Sequence, residues 1–135
     1  MHAGSFIHKR EMILESELRS DSRELTRIFA HELFHFVWAR LGNPRRNAYA
    51  ELLKVEMAAH ARGELGWSAE RMKGRCREFT ESRTWRAYAA ESFCDTAAFL
   101  YSGNRRHDEF TLARKWRLRR ERWFRESLGR RPLSI

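Results

Sequence analysis

Cysteine and proline are almost missing from this chain, with two of each in 135 residues. Cys76 and Cys94 stand too far apart for a C-x-x-C site, and nothing in their number argues for an oxidising compartment, so both are expected to be buried thiols. Long apolar runs are missing as well. None reaches the roughly 20 residues that span a bilayer, and the opening Met1-His2-Ala3-Gly4 lacks the basic-then-apolar layout of a secretory signal. These absences point to a soluble, cytoplasmic protein that uses no membrane. No internal repeat, low-complexity tract or long linker interrupts the sequence. With 42% apolar and 13% aromatic residues, a single domain over residues 1–135 with one core is expected.

Acidic charge is the other shortage. Eighteen Asp and Glu face 27 Lys and Arg, nearly all of the excess being arginine, and the net charge of +9 favours acidic partners. Much of it lies between Arg114 and Arg125, where Trp116, Trp123 and Phe124 are interleaved with the charges. One reading is an amphipathic helix over about 108–128, opened by Asp108, with Leu112, Trp116, Trp123 and Phe124 inward and the arginines solvated. The other is a nucleic-acid contact along the same run.

What the chain does contain is helical periodicity. Phe6 to Leu14, a β-permissive stretch without glycine or proline, reads as a strand or part of a small sheet. Asp21 is placed to cap a helix, with Glu24 able to reach back, and Leu25, Ile28, Phe29, Leu33, Phe36 and Val37 recur at helical spacing until Gly42-Asn43-Pro44 ends it. Further helices are expected over Ala48–Arg62, from a Ser68 cap toward Thr80, and from a Thr84 cap over Trp85–Tyr101, with Ser102-Gly103-Asn104 as the stop. Residues 130–135 read as irregular. The fold class is α+β, mostly helical.

In the middle of the first helix stands His31-Glu32-Leu33-Phe34-His35. Residues i and i+4 share a helix face, so the two imidazoles can bind one ion while Glu32, rotated off that face, reaches the water on the metal; this is the His-Glu-x-x-His zinc pattern. Catalytic zinc needs a third protein ligand and an open fourth position. Glu91 is the leading candidate, because a second helix can aim its carboxylate at the histidines while Asp95, one turn along, accepts the free ring N–H of a ligand histidine. His60, His107, Glu51, Glu56 and Glu64 remain alternatives, His60 the sharpest among them.

His-Glu-x-x-His followed by Glu91-x-x-x-Asp95 on a separate helix resembles the gluzincin clan of zinc metallopeptidases, and the short chain resembles its minimal members, the minigluzincins. The likeness covers residues 5–42 and 84–102. It implies a zincin-like minimal catalytic core, an N-terminal strand or small sheet packed on an active-site helix and a glutamate helix. It also implies His31, His35 and Glu91 as ligands of Zn²⁺, Glu32 as general base, Asp95 behind a histidine, and a peptide or protein substrate added to the strand as an extra edge. Tyr88, one turn before Glu91, is the nearest phenol for a developing oxyanion, with Tyr101, His107 and arginines behind it. A basic nucleic-acid-binding module with a structural or regulatory zinc is the alternative. Self-association is compatible with a chain this small. The tail Pro132-Leu133-Ser134-Ile135 could also occupy the cleft and hold the protein latent.

Overall fold

The computed structural model describes residues 3–14, 21–76, 83–129 and 132–135, and in them five helices and a two-stranded antiparallel sheet, a mostly helical arrangement. Strands β1 (Ala3–Phe6) and β2 (Glu11–Leu14) pair with Ala3 opposite Leu14 and Phe6 opposite Glu11. The single strand expected over Phe6–Leu14 is thus a reversal followed by a strand. Ile7–Lys9 form a 3-10 turn, and Arg10, at φ 54°, donates its N–H to the Ile7 carbonyl at 3.2 Å. That left-handed conformation is ordinarily taken by glycine or asparagine, so an arginine there leaves no turn signal in the sequence.

Helix α1 (Ser22–Arg40) starts where the cap predicts, the Asp21 carboxylate accepting the Glu24 N–H at 3.1 Å. Glu24 does not reach back; its carboxylate holds Arg27 at 2.5 Å and His107 at 3.1 Å. Phe36 and Val37 are buried as their spacing suggests, but Phe29 is 45% exposed, and the covered face runs instead through Ala30, His31 and Phe34. Asn43-Pro44, read as a stop, opens helix α2 (Asn43–Ala58): Pro44 sits in the first turn, where its missing N–H costs nothing, and Gly42 turns the corner at φ 87°. The expected Ala48–Arg62 helix therefore begins and ends earlier.

Helix α3 (Trp67–Arg75) has Gly66 at its N-cap position, so Ser68 falls inside the first turn and does not cap it. Cys76 is already extended, and the expected continuation toward Thr80 lies outside the described residues. Thr84 likewise sits within helix α4 (Arg83–Tyr101) rather than at its start. Helix α5 (Arg114–Leu128) begins after Ala113, not at Asp108. The amides of Thr111 and Leu112 both donate to the Glu64 carbonyl, at 2.9 and 3.0 Å, and this pair of hydrogen bonds ties the stretch before α5 to segment 61–66. Residues 132–135 are irregular as expected, while Arg130 and Arg131 lie outside the described residues.

Helix α4 is the hub, packed against α1, α2 and α3. Phe93 is fully buried, its ring stacked on Phe124 at 5.0 Å and within 5.6 Å of Tyr49, so the layer that fixes α4 also holds α2 and α5. Cys94 is buried and Cys76 only half-buried. Phe124 points into this core with Trp123 packed against it, while Leu112 and Trp116 are buried in a second cluster with Phe99 and Phe110. Arg120 breaks the pattern of solvated arginines, at 0% exposure. An arginine carries five N–H donors, and all five are used here: two on Glu56 at 3.0 and 2.7 Å, two on Glu64 at 2.7 and 2.9 Å, and one on Thr96 Oγ1 at 3.1 Å. No helix among the described residues is long and apolar enough to cross a membrane.

Candidate metal centre

Three side chains from two helices converge on one point. His31 Nε2 lies 3.2 Å from His35 Nε2 and 3.2 Å from Glu91 Oε2, and His35 Nε2 lies 3.5 Å from Glu91 Oε1. Tetrahedral zinc with bonds of roughly 2.0–2.1 Å separates its ligand atoms by about 3.3 Å, so the spacing fits one small cation among the three. Among the described residues this is the one group of three His, Cys, Asp or Glu side chains that could hold a metal ion. The α1 periodicity stacks His31 on His35 and the packing of α1 on α4 brings Glu91 across.

The other ring nitrogen of His31 is taken. Nδ1 lies 2.6 Å from Asp95 Oδ1; the carboxylate can only accept, which assigns the proton to Nδ1 and leaves the Nε2 lone pair facing the centre. Burial alone would lower the pKa of His31, but the hydrogen bonds and charges of Asp95 and Glu91 outweigh it and push the value up to about 10. His35 goes the other way, lowered by burial, with Glu91 opposing and the His31 charge adding to the fall. The centre thus attracts a cation, and without a metal ion that cation is a proton on His31.

Asp95 does a second job that sequence reasoning missed. Its other oxygen, Oδ2, accepts the N–H of Ala69 at 2.9 Å, so a buried carboxylate from α4 supplies the N-terminal cap that Gly66 cannot give to α3. The approach is close: a Cβ on Gly66 would stand 2.3 Å from Asp95 Cγ, so only glycine fits there. Glu109 serves the first amide of the same helix, accepting from Trp67 N at 2.9 Å while holding Arg27 at 3.2 Å.

Glu32 shares a cleft of about 960 Å³ with the three converging side chains, bounded by β1, α1 and α3. Ser5 Oγ lies 2.5 Å from Glu32 Oε2 and 3.0 Å from the Glu32 carbonyl oxygen, so a hydroxyl from β1 fixes the carboxylate of α1. No periodicity or motif marks Ser5. β1 pairs with β2 along one edge, and among the described residues its other edge carries no ladder.

Several sequence candidates fall elsewhere. Tyr88 is buried, does not line the cleft, and donates its hydroxyl to Glu64, so the structure does not bring this phenol together with His31, His35 and Glu91 in the cleft. Burial first, and then the Glu64 charge, raise its pKa well above the usual range. Glu56 and Glu64 are committed to Arg120, Glu51 to Lys54, and His107 to Glu24; His60 is exposed after the end of α2, at φ 56°. In the basic helix, Arg117 donates to the carbonyls of Leu112 and Phe110, and Lys115 and Arg119 lie over the Trp116 ring, whereas Arg114, Arg122 and Arg125 are exposed. Ile135 lies not in the cleft but in a separate apolar groove with Phe29, Leu33 and Phe36, its carbonyl 3.4 Å from Arg10 Nη2. Comparison with protein-family models, with curated proteins and with solved structures gave no match.

Proposed function

We propose that this chain is a zinc-dependent peptidase with a zincin-like minimal core of the gluzincin type. The observation that carries the reading is the triangle of His31, His35 and Glu91 atoms, 3.2 to 3.5 Å on a side, backed by Asp95 and opening onto a cleft that also holds a carboxylate. Two imidazoles and one carboxylate are a borderline donor set suited to zinc, and three protein ligands leave a fourth position for water or substrate. A bound zinc ion supplies Lewis acidity, lowering the pKa of its water toward neutrality and polarising a substrate carbonyl.

The protein's own residues account for the proton and for orientation. Glu32, held at Oε2 by Ser5, takes a proton from the attacking water on its other oxygen and returns it to the leaving amine. Asp95 holds the His31 ring in the tautomer that ligates. The edge of β1 that carries no ladder among the described residues offers backbone groups to an extended peptide, which would lie across the cleft between β1 and α3. The exposed basic residues of α5 stand apart from this cleft and have no part in the proposed chemistry.

The test is Glu32→Gln. The change keeps size and fold, so zinc content should stay at the wild-type level while hydrolysis of a denatured protein substrate falls by roughly 10²–10⁴-fold, the usual worth of a general base. Hydrolysis at the wild-type rate would exclude Glu32 as the base and overturn the proposal.

A further inference from the structure

The wall of the cleft opposite α1 is one continuous face of α3. Trp67, Ser68, Arg71, Met72 and Arg75 line it, while Ala69 on the other side is buried and Lys73 is turned away to the carbonyls of Ala61 and Gly63, at 3.0 and 2.9 Å. Trp67 is 61% exposed, the most exposed large apolar residue among those described.

The charges of the cleft are otherwise matched within the protein. Arg27 lies between Glu24 and Glu109, Glu91 and Asp95 face the two histidines, and Glu32 is held by Ser5. Of the charged side chains that line the cleft, Arg71 and Arg75 alone have no carboxylate partner among the described residues, and they share one face of α3. A spacing of four residues along a helix separates them by about 6 Å. Side chains at alternate positions of an extended peptide, which point to one side, repeat at about 6.6 Å. The two guanidiniums therefore match two carboxylates in the pattern acid-x-acid on an extended chain, and each can grip one in fork geometry.

We propose that the cleft selects acidic peptides, with Arg71 and Arg75 as the specificity-determining residues that bind carboxylate side chains at alternate positions of an extended substrate. The inference rests on the peptidase reading for the location of the substrate but not for its measurement. The net charge of +9 raises the local concentration of such peptides, while the arginine pair on α3 fixes which part of them lies in the cleft.

The experiment uses the zinc-treated Glu32→Gln variant of the 135-residue chain, which should bind without turnover, and two labelled peptides that differ only in Glu-x-Glu against Gln-x-Gln. Fluorescence anisotropy at low salt should show the acidic peptide binding at least tenfold more tightly, roughly what two partly exposed charge pairs supply, with the gap closing as salt is added. Joint replacement Arg71→Gln and Arg75→Gln should remove the gap, whereas Arg62→Gln with Arg86→Gln, an equal loss of charge away from the cleft, should keep most of it. A gap that survives the α3 replacements, or that Arg62 and Arg86 abolish equally, would overturn the proposal. So would a single-stranded oligonucleotide of equal charge that binds the α3 face more tightly than the peptide. Wild-type protein assayed on the same peptides separates the two readings: hydrolysis without preference sinks the specificity, and selective binding without any hydrolysis sinks the peptidase.

Discussion

Asp95→Asn is a change of one atom that the structure does not tolerate. The side chain is 2% exposed, and its two oxygens accept from His31 Nδ1 at 2.6 Å and from Ala69 N at 2.9 Å. Asparagine offers one acceptor and one NH₂ donor in the same volume. If its oxygen faces His31, the NH₂ meets the Ala69 N–H donor to donor, and α3 loses its cap. If its oxygen faces Ala69, the NH₂ points at His31 Nδ1, and the ring must carry its proton on Nε2, the atom that faces His35 and Glu91. The first arrangement costs about 1–3 kcal/mol of folding stability, the worth of a lost cap or an unmet buried donor. The second costs about 10–100-fold in metal affinity, the usual loss when a ligand histidine is deprived of its orienting partner. Urea unfolding of the metal-free protein and chelator-competed zinc titration measure the two separately, and at least one of these losses should appear. Stability within 0.5 kcal/mol and zinc affinity within twofold of wild type would refute the shared role of Asp95.

Two further outcomes follow from the same packing. His31 has a folded pKa of about 10 against an unfolded value of 6.5, so its contribution to the stability of the metal-free protein is fully present below pH 6.5 and is lost as pH rises toward 10. Unfolding free energy should fall by about 1 kcal/mol between pH 7 and pH 8, and urea titrations of metal-free protein that show no fall would contradict the Asp95 and Glu91 contacts. Arg120→Met strands Glu56 and Glu64 in the core and should lower stability by about 3–5 kcal/mol, with most of it recovered when Glu56→Gln and Glu64→Gln are added. A loss below 1 kcal/mol for Arg120→Met would show that the pair is not buried in solution.

The metal-centre geometry was more legible than the fold around it, for a physical reason. His31 with His35 and Glu91 with Asp95 are i,i+4 pairs, and helical periodicity alone puts each pair on one face; Asp21 announced the helix that carries the first pair by a cap that needs only local contacts. What escaped depends on distant partners. Ser68 and Thr84 have cap chemistry, but α3 takes its cap from Asp95, and no local rule foresees a helix capped from another helix. Asn43-Pro44 serves equally as a stop and as a start, and the corner at Gly42 decides. Arg120 looks like every other arginine of its run until Glu56 and Glu64 arrive from elsewhere in the chain, and Tyr88 turns its hydroxyl to Glu64, a partner that no spacing along its own helix announces.

Zinc content tests the account most directly. Purified protein supplied with zinc and passed over a chelating resin should retain one ion per chain by elemental analysis, and the joint replacement of His31 and His35 by alanine should bring that to zero while the protein stays folded by circular dichroism. Wild-type protein that holds no stoichiometric zinc, or a double variant that holds as much as wild type, would contradict the metal centre on which the proposed peptidase depends.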